Sequence, residues 1–534
     1  MSRFNPFPIL CVGVLAGPLI AQNPSVRLHP TIDSSHTEIW VSGLAPFEGF
    51  DLSLTQKRGG LDAPLLRGRR LRRRADGSGR YHISVPINRN QLGSTSLWGQ
   101  LQTSTSLGGS SFIAGGIVGT SITSPWSLFR DDPARLPTTA LHLGGAYASS
   151  GDVNDDGLDD LLLTTASGVL LWLQTAQGQF VDATATRLPV IGYATPWAKL
   201  LDVDGDNRPE IYLPGGDPVA GNPDRILWND GSGFFATSTS LPLASVQTSD
   251  VVAGDVDGDS DKDLVLAIGL ANHTTAGAAD RLYLNDGAGN FTSNTSFSSA
   301  AWNETITAST SLVLADMDGD ANLDLFIGKS DPGAVSGSFG GKNLLLLGDG
   351  SGGFVEVSTS QLLPAHRKDQ TYALACVDLE GDGDMDLVAA NALTSVPGAL
   401  SADVLINQGG AQAGTEGIFV DAVGALPETP PIYESIRLSL TVADLDLDGL
   451  VDVSFGVHDL PPGMGGQPVF MNTPAGSPAF ERLDSFQPGT FICRSLTTLD
   501  VDGDGDLDLF MLADGSVAGG TDATRARLYI NQTF

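Results

Sequence analysis

A nine-residue pattern, D-x-D-x-D-G-x-x-D with small variations, begins seven times in this chain, at Asp152, Asp202, Asp255, Asp316, Asp378, Asp444 and Asp500. The starts are 50, 53, 61, 62, 66 and 56 residues apart. That period is too long for one coil of a β-helix and matches a propeller blade whose connections vary in length.

The residues around each copy repeat as well. A short strand runs into the loop, as at Leu312 to Ala315, and a second leaves it at once: Leu161 to Leu163, Ile211 to Leu213, Leu264 to Leu266, Leu325 to Ile327. A third follows a Gly-rich connection, as in R-I-L-W-N (Arg225 to Asn229) and R-L-Y-L-N (Arg281 to Asn285). The turn Asp286-Gly287-Ala288-Gly289 then leads to a fourth strand opening at Phe291. Asp-Gly and Gly-x-Gly tolerate positive φ and are hairpin chemistry. The expected fold is all-β, a seven-bladed β-propeller over residues 125–534.

After Leu528-Tyr529-Ile530-Asn531 little chain remains for a fourth strand in the seventh unit. Phe129-x-Asp131 with Leu136-Pro137 repeats the spacing of Phe419-x-Asp421 with Leu426-Pro427. Residues 126–131 are therefore expected to complete the last blade and close the ring, which removes exposed sheet edges.

Chemically, a loop with carboxylates at positions 1, 3, 5 and 9 can wrap a calcium ion, which takes six to eight oxygen ligands. Position 7 would add a backbone carbonyl, and glycine near position 6 would allow the sharp turn. The ligand candidates are Asp152, Asn154, Asp156 and Asp160; Asp202, Asp204, Asp206 and Glu210; Asp255, Asp257, Asp259 and Asp263; Asp316, Asp318, Asp320 and Asp324. The remaining loops offer Asp378, Glu380, Asp382 and Asp386; Asp444, Asp446, Asp448 and Asp452; and Asp500, Asp502, Asp504 and Asp508. Magnesium is disfavoured, because it keeps water and rarely uses all-protein cages. An EF-hand would need Glu at position 12, where Leu163 and Met511 stand in β-patterned runs.

These units resemble the FG-GAP/VCBS repeats of integrin-α-like propellers, most closely in D-V-D-G-D-G-D-L-D-L at Asp500 to Leu509. The resemblance covers residues 126–534 and implies Ca²⁺ in each matching loop, about seven sites, with an extracellular role in adhesion or ligand binding. The literal F-G…G-A-P string is absent, Glu210 and Glu380 replace aspartates, and the Asn154 site is expected to bind more weakly.

The chain has a net charge of −33, unevenly placed. Residues 22–124 hold eleven Lys/Arg against six Asp/Glu, while residues 125–534 hold 17 against 56. So acidic a body argues against nucleic acid or an anionic lipid surface as partner.

Residues 1–21 read as an export signal, with Arg3, an apolar Phe7-to-Ile20 core and Ala21. The expected location is therefore secreted or cell-surface, with no transmembrane segment and a monomeric chain. Cys11 lies in that signal; Cys376 and Cys493 occupy different offsets from their loops, which does not favour a disulfide.

Residues 22–124 alternate as strands at Thr37 to Ser42, Phe50 to Thr55, Arg80 to Val85 and Ser96 to Thr103. That pattern predicts a small immunoglobulin-like β-sandwich. Its Arg67–Arg74 strip, six arginines in eight residues, is either a solvated hairpin or a docking strip for an acidic surface.

In a four-stranded meander the metal loops share one rim with the Asp-Gly turns, and the long loops take the other. Recognition of a protein or glycan is expected on the long-loop face, where Trp302, His273, His366, Tyr433 and His458 are candidate contacts. Catalytic signatures are absent: the histidines lack zinc-ligand spacing and no G-x-S-x-G elbow occurs. The expected function is extracellular binding or adhesion. The alternative is a carbohydrate-active enzyme, a polysaccharide lyase or glycosidase, on a calcium-stabilised propeller.

Overall fold

The strand leaving each Asp-rich loop is apolar on both faces, and this sets the architecture. Asp160–Thr165 and Asp263–Ile268 are buried at every residue. Successive side chains point to opposite faces, so such a strand needs a packed layer on each side. Sheets stacked face to face around a ring supply both.

The structure is a computed structural model. It describes strand segments between residues 25 and 117, and residues 129–531 apart from 138–144, 166–167, 194, 216–221, 243–246, 270–278, 301–307, 331–342, 363–369, 393–401, 410–413, 423, 427–436, 458–467, 474–478, 484–491 and 515–525. The chain divides into two compact units, with the break between Ser127 and Leu128.

In the first unit, Ser25–Pro30, His36–Ser42 and Tyr81–Pro86 form one antiparallel sheet. Leu61–Pro64, Gly49–Arg58, Thr95–Thr103 and Ser111–Ile117 form a second, with Leu71–Arg74 also paired to Gly49–Arg58. The last arginines of the basic strip therefore sit in a strand. The export signal lies outside the described residues.

The second unit is a seven-bladed β-propeller. Blade one is the antiparallel meander Gly145–Gly151, Asp160–Thr165, Gly168–Gln174 and Phe180–Asp182. Blades two to six repeat that order, with first strands Lys199–Leu201, Thr248–Gly254, Ala308–Ala315, Gln370–Val377 and Arg437–Ala443. Blade seven takes Ile492–Leu499, Asp508–Asp514 and Ala526–Asn531 from the end of the chain and Phe129–Asp131 from before blade one.

That closure is the one expected, and the paired strand begins at Phe129. Its register sets Asp131 opposite Tyr529, Arg130 opposite Ile530 and Phe129 opposite Asn531. The Asp132 N–H adds a bond to the Leu528 carbonyl at 2.8 Å.

Each interface between neighbouring blades has its own apolar cluster among the described residues. Leu161, Leu163, Trp172 and Phe180 of blade one pack on Val501, Phe510, Leu512 and Leu528 of blade seven. Leu162 and Leu171, one residue out of phase, pack instead on Leu200, Ile211 and Leu213 of blade two. The period of two thus sends alternate residues to opposite neighbours. Trp172 and Phe510 meet edge to face, centroids 6.4 Å apart, across the seam where the ring closes.

First strands of neighbouring blades lie side by side and exchange polar contacts. The Ala148 N–H donates to Ser495 Oγ at 2.9 Å, and the Leu200 N–H to Ser149 Oγ at 3.2 Å. Lys199 Nζ donates to Asp250 Oδ1 and to the Val251 carbonyl, both at 2.9 Å. The other oxygen of Asp250 accepts from the Leu312 N–H at 3.0 Å, so one carboxylate links blades two, three and four.

Cys376 and Cys493 are free thiols in the first strands of blades five and seven.

Candidate metal centre

Each Asp-rich loop joins the first and second strands of its blade and is pinned at both ends. Position 2 is apolar in every copy and buried: Val153, Val203, Val256, Met317, Leu379, Leu445 and Val501. Position 9 opens the second strand as a buried acid, and its outer oxygen accepts the position 2 N–H. The seven bonds, Val153 to Asp160 through Val501 to Asp508, run from 2.8 to 3.2 Å.

In six loops the other oxygen of that acid accepts the N–H at the end of the third strand. Gln174 donates to Asp160 at 2.8 Å, Asn285 to Asp263 at 2.9 Å and Gly348 to Asp324 at 2.9 Å. Asn407 donates to Asp386 at 2.9 Å, Asn472 to Asp452 at 2.8 Å and Asn531 to Asp508 at 2.6 Å. The position 9 carboxylate is therefore a keystone between loop and blade.

Burial, with neighbouring carboxylates adding to it, pushes Asp160 and Asp508 up to about 7 and Asp263 and Asp324 up to about 6, against the pull of those backbone N–H groups. Glu210 is likewise raised to about 7 by burial.

Positions 4 and 6 both take the left-handed conformation in all seven loops. Loop four is representative, with Gly319 at φ 77° and Ala321 at φ 72°. The sequence pointed to glycine near position 6 alone; the fold requires positive φ at two places, and non-glycine residues accept one of them in five loops.

This backbone folds the odd-numbered carboxylates together. One oxygen from each of Asp202, Asp204 and Asp206 lies within 4.8 Å of the others, and the same holds for Asp255, Asp257 and Asp259, for Asp316, Asp318 and Asp320, and for Asp500, Asp502 and Asp504. In loop six the converging group is Asp444, Asp446 and Asp452. In the other four groups the converging oxygens come from positions 1, 3 and 5.

Loops one and five form no such trio among the described residues. In loop one Asn154 stands at position 3, and its amide oxygen accepts the Asp156 N–H at 3.2 Å. In loop five the longer Glu380 stands at position 3, and its carboxyl lies against that of Asp386.

The donor set fits a hard divalent cation: oxygen only, anionic, and short of donors of its own. Asp257 Oδ1 is buried with no hydrogen-bond donor, and so are both carboxylate oxygens of Asp506 and of Asp384. A buried carboxylate without donors is costly unless a cation faces it.

Two features of the loops escaped the sequence reading. In five blades the side-chain amide ending the third strand reaches the position 2 carbonyl of the preceding loop. Asn229 Nδ2 donates to Val153 at 2.8 Å, Asn407 to Met317 at 2.9 Å, Asn472 to Leu379 at 2.8 Å and Asn531 to Leu445 at 2.7 Å. Gln174 Nε2 does the same across the seam, to the Val501 carbonyl at 3.3 Å. The signal was present in the terminal Asn of R-I-L-W-N, although the corresponding Asn285 of R-L-Y-L-N donates to the Lys262 carbonyl of its own loop at 3.0 Å.

The second feature is that position 8 of one loop lies over position 1 of the loop before it. Lys262 Nζ meets Asp202 Oδ2 at 2.6 Å. Pro209 and Leu323 occupy the equivalent place beside Gly151 and Gly254, and Asp159 bears on Asp500.

The turn between third and fourth strands also abuts the preceding loop, as in the Gly352 N–H bond to the Val256 carbonyl at 2.9 Å. Asp-rich loops and tight turns share one rim, as expected. Trp302, His273, His366, Tyr433 and His458 lie outside the described residues, as does most of the long-loop face. Tyr147, Lys199 and Asp250 cluster on the first strands, but Lys199 and Asp250 are engaged in the contacts joining blades two to four.

Residues 152–213, from the first loop through the second strand of blade two, match the FG-GAP-like repeat family. The chain is similar to a solved structure described as "Structure of Dos1 propeller", at 10% identity over 73% of this chain and 92% of that one, with a TM-score of 0.35. Comparison with curated proteins gives no match.

Proposed function

We propose that this FG-GAP-repeat β-propeller is an exported calcium-binding scaffold that presents its long-loop face to an extracellular protein or glycan. The observation that carries the metal reading is the convergence of three carboxylates in each of five loops built to one backbone plan. Left uncompensated, such groups repel at short range; a divalent ion removes the repulsion and joins positions 1, 3 and 5. The residues that would hold it are the odd-numbered acids of each loop, with position 9 fixing the loop to its blade.

The ion's contribution is structural. The loops sit on the rim shared with the tight turns, and in six of them the position 2 carbonyl is tied to the next blade, so ordering those loops also orders a blade interface. Binding then falls to the opposite rim, where connections vary in length and a rigid ring holds them. No helix among the described residues is long and apolar enough to cross a membrane.

Calcium titration by calorimetry, with melting in calcium and in EDTA, tests the metal reading. Binding of several ions and a higher melting temperature in calcium are expected, since ligands of the folded state stabilise it by mass action. A melting temperature indifferent to EDTA, or fewer than about four ions per chain, overturns it. A glycan array probed with and without chelator tests the recognition reading.

A further inference from the structure

The seven loops share one plan, yet the residues at positions 7 and 8 give two of them opposite electrostatic surroundings. Loop two has Arg208 at position 7, and loop three places Lys262 at position 8 over it. Lys262 Nζ stands 2.6 Å from Asp202 Oδ2, a carboxylate at position 1. Arg208 Nη1 stands 3.2 Å from Asp206 Oδ2 at position 5, and its Nη2 reaches Asp155 of loop one at 2.9 Å. Two of the three converging carboxylates therefore already face a cation belonging to the chain.

Loop seven is the reverse. Position 7 is Asp506, which is fully buried, and neither of its oxygens has a hydrogen-bond donor. Its carboxyl faces those of Asp504, Asp508 and Asp502. Blade one, which follows loop seven around the ring, sets Asp159 at position 8, where its charge bears on Asp500. The one counter-charge described here is Arg135, 3.6 Å from Asp502. Six carboxylates stand against one guanidinium in loop seven, and four against two cations in loop two.

Resting on the calcium reading above, we infer that the five loops whose carboxylates converge are graded: loop seven is the tightest divalent-cation site among them, with the Asp506 side chain as an added ligand, and loop two is the weakest of the five, because the Lys262 ammonium stands in for the ion. A divalent cation entering loop two must displace Lys262 from Asp202 or bind beside it, against like charge. In loop seven an ion relieves the buried, donorless carboxylate that the metal-free fold carries. The tightest site then lies in the blade that closes the ring, where the Gln174 side chain of blade one is bonded to the Asp500 and Val501 carbonyls at 3.1 and 3.3 Å.

The test is calcium titration of the full chain, wild type against Asp506→Asn, Asp159→Asn and Lys262→Met, with ions counted by native mass spectrometry and melting followed in EDTA and in calcium. Asp506→Asn is expected to weaken the tightest binding step by about tenfold or more, while melting in EDTA no lower than wild type, because the amide removes a buried unpartnered charge. Asp159→Asn weakens the same step by less. Lys262→Met keeps the side-chain stem and is expected to tighten one of the weaker steps or add one bound ion.

If the wild type binds calcium but Asp506→Asn leaves the tightest step unchanged, or Lys262→Met leaves every step and the ion count unchanged, the grading is overturned while the calcium reading stands. If the wild type binds no calcium, that reading falls first. Asp159→Asn supplies the loop-seven comparison should Asp506→Asn fail to fold.

Discussion

Arg527, near the end of the chain, donates from Nη1 to Asp131 Oδ2 at 2.8 Å, joining two residues 396 positions apart within one sheet. Three backbone pairings and the Phe129 ring accompany it. Phe129 is buried between blades six and seven beside Leu445, Val469 and Tyr529. Phe129→Ala is expected to cost about 3 to 5 kcal/mol of stability, the range for emptying a buried aromatic site. Denaturant unfolding measures the loss, and an effect below about 1 kcal/mol would mean that the short closing strand is not held by its core.

The amide at the end of the third strand is expected to matter to the loop before it. Asn472 Nδ2 serves the Leu379 carbonyl at 2.8 Å and the Val451 carbonyl at 3.3 Å. Asn472→Ala leaves the Leu379 carbonyl without that donor, at an expected cost of about 1 to 3 kcal/mol. Hydrogen exchange should report the loss at the Leu379 and Val451 loops first; a uniform change over all blades would contradict a local tie.

Ala321 is exposed and holds φ at 72°, where a side chain strains the backbone and glycine does not. Its N–H donates to Asp316 Oδ2 at 2.9 Å, a bond glycine keeps. Ala321→Gly is expected to raise stability by about 1 kcal/mol, the left-handed penalty outweighing glycine's entropy. A lower melting temperature for the variant would count against this reading of position 6.

Cys493 is wholly buried, and desolvation pushes its thiol up to about 12. The thiolate is the reactive form, so between pH 7 and pH 9 the native protein should resist alkylation at Cys493 and react after unfolding. Peptide mapping after timed iodoacetamide treatment checks this. Rapid native labelling would show that the first strand of blade seven opens readily.

Much of this protein was legible before any coordinates, because a period of 50 to 66 residues and a nine-residue pattern are local signals. Asp160, Asp263 and Asp508 could be placed at the start of second strands because the apolar run begins at once after them. Their work was not legible. In most loops the position 9 oxygens accept the position 2 N–H and an N–H of the third strand, donors supplied by residues up to 24 positions away.

The sequence by itself determined the number of blades, the strand order within each, and the pairing of Phe129 with the end of the chain. Repetition and alternation are one-dimensional properties, and only a closed ring buries both faces of every second strand. The tertiary structure alone decided which residue of one loop stands over another. Lys262 meets Asp202, and Asp159 faces Asp500, because neighbouring blades stack in one register around the ring. Charge acts through a few ångströms of space, so two loops almost identical in pattern end in opposite fields.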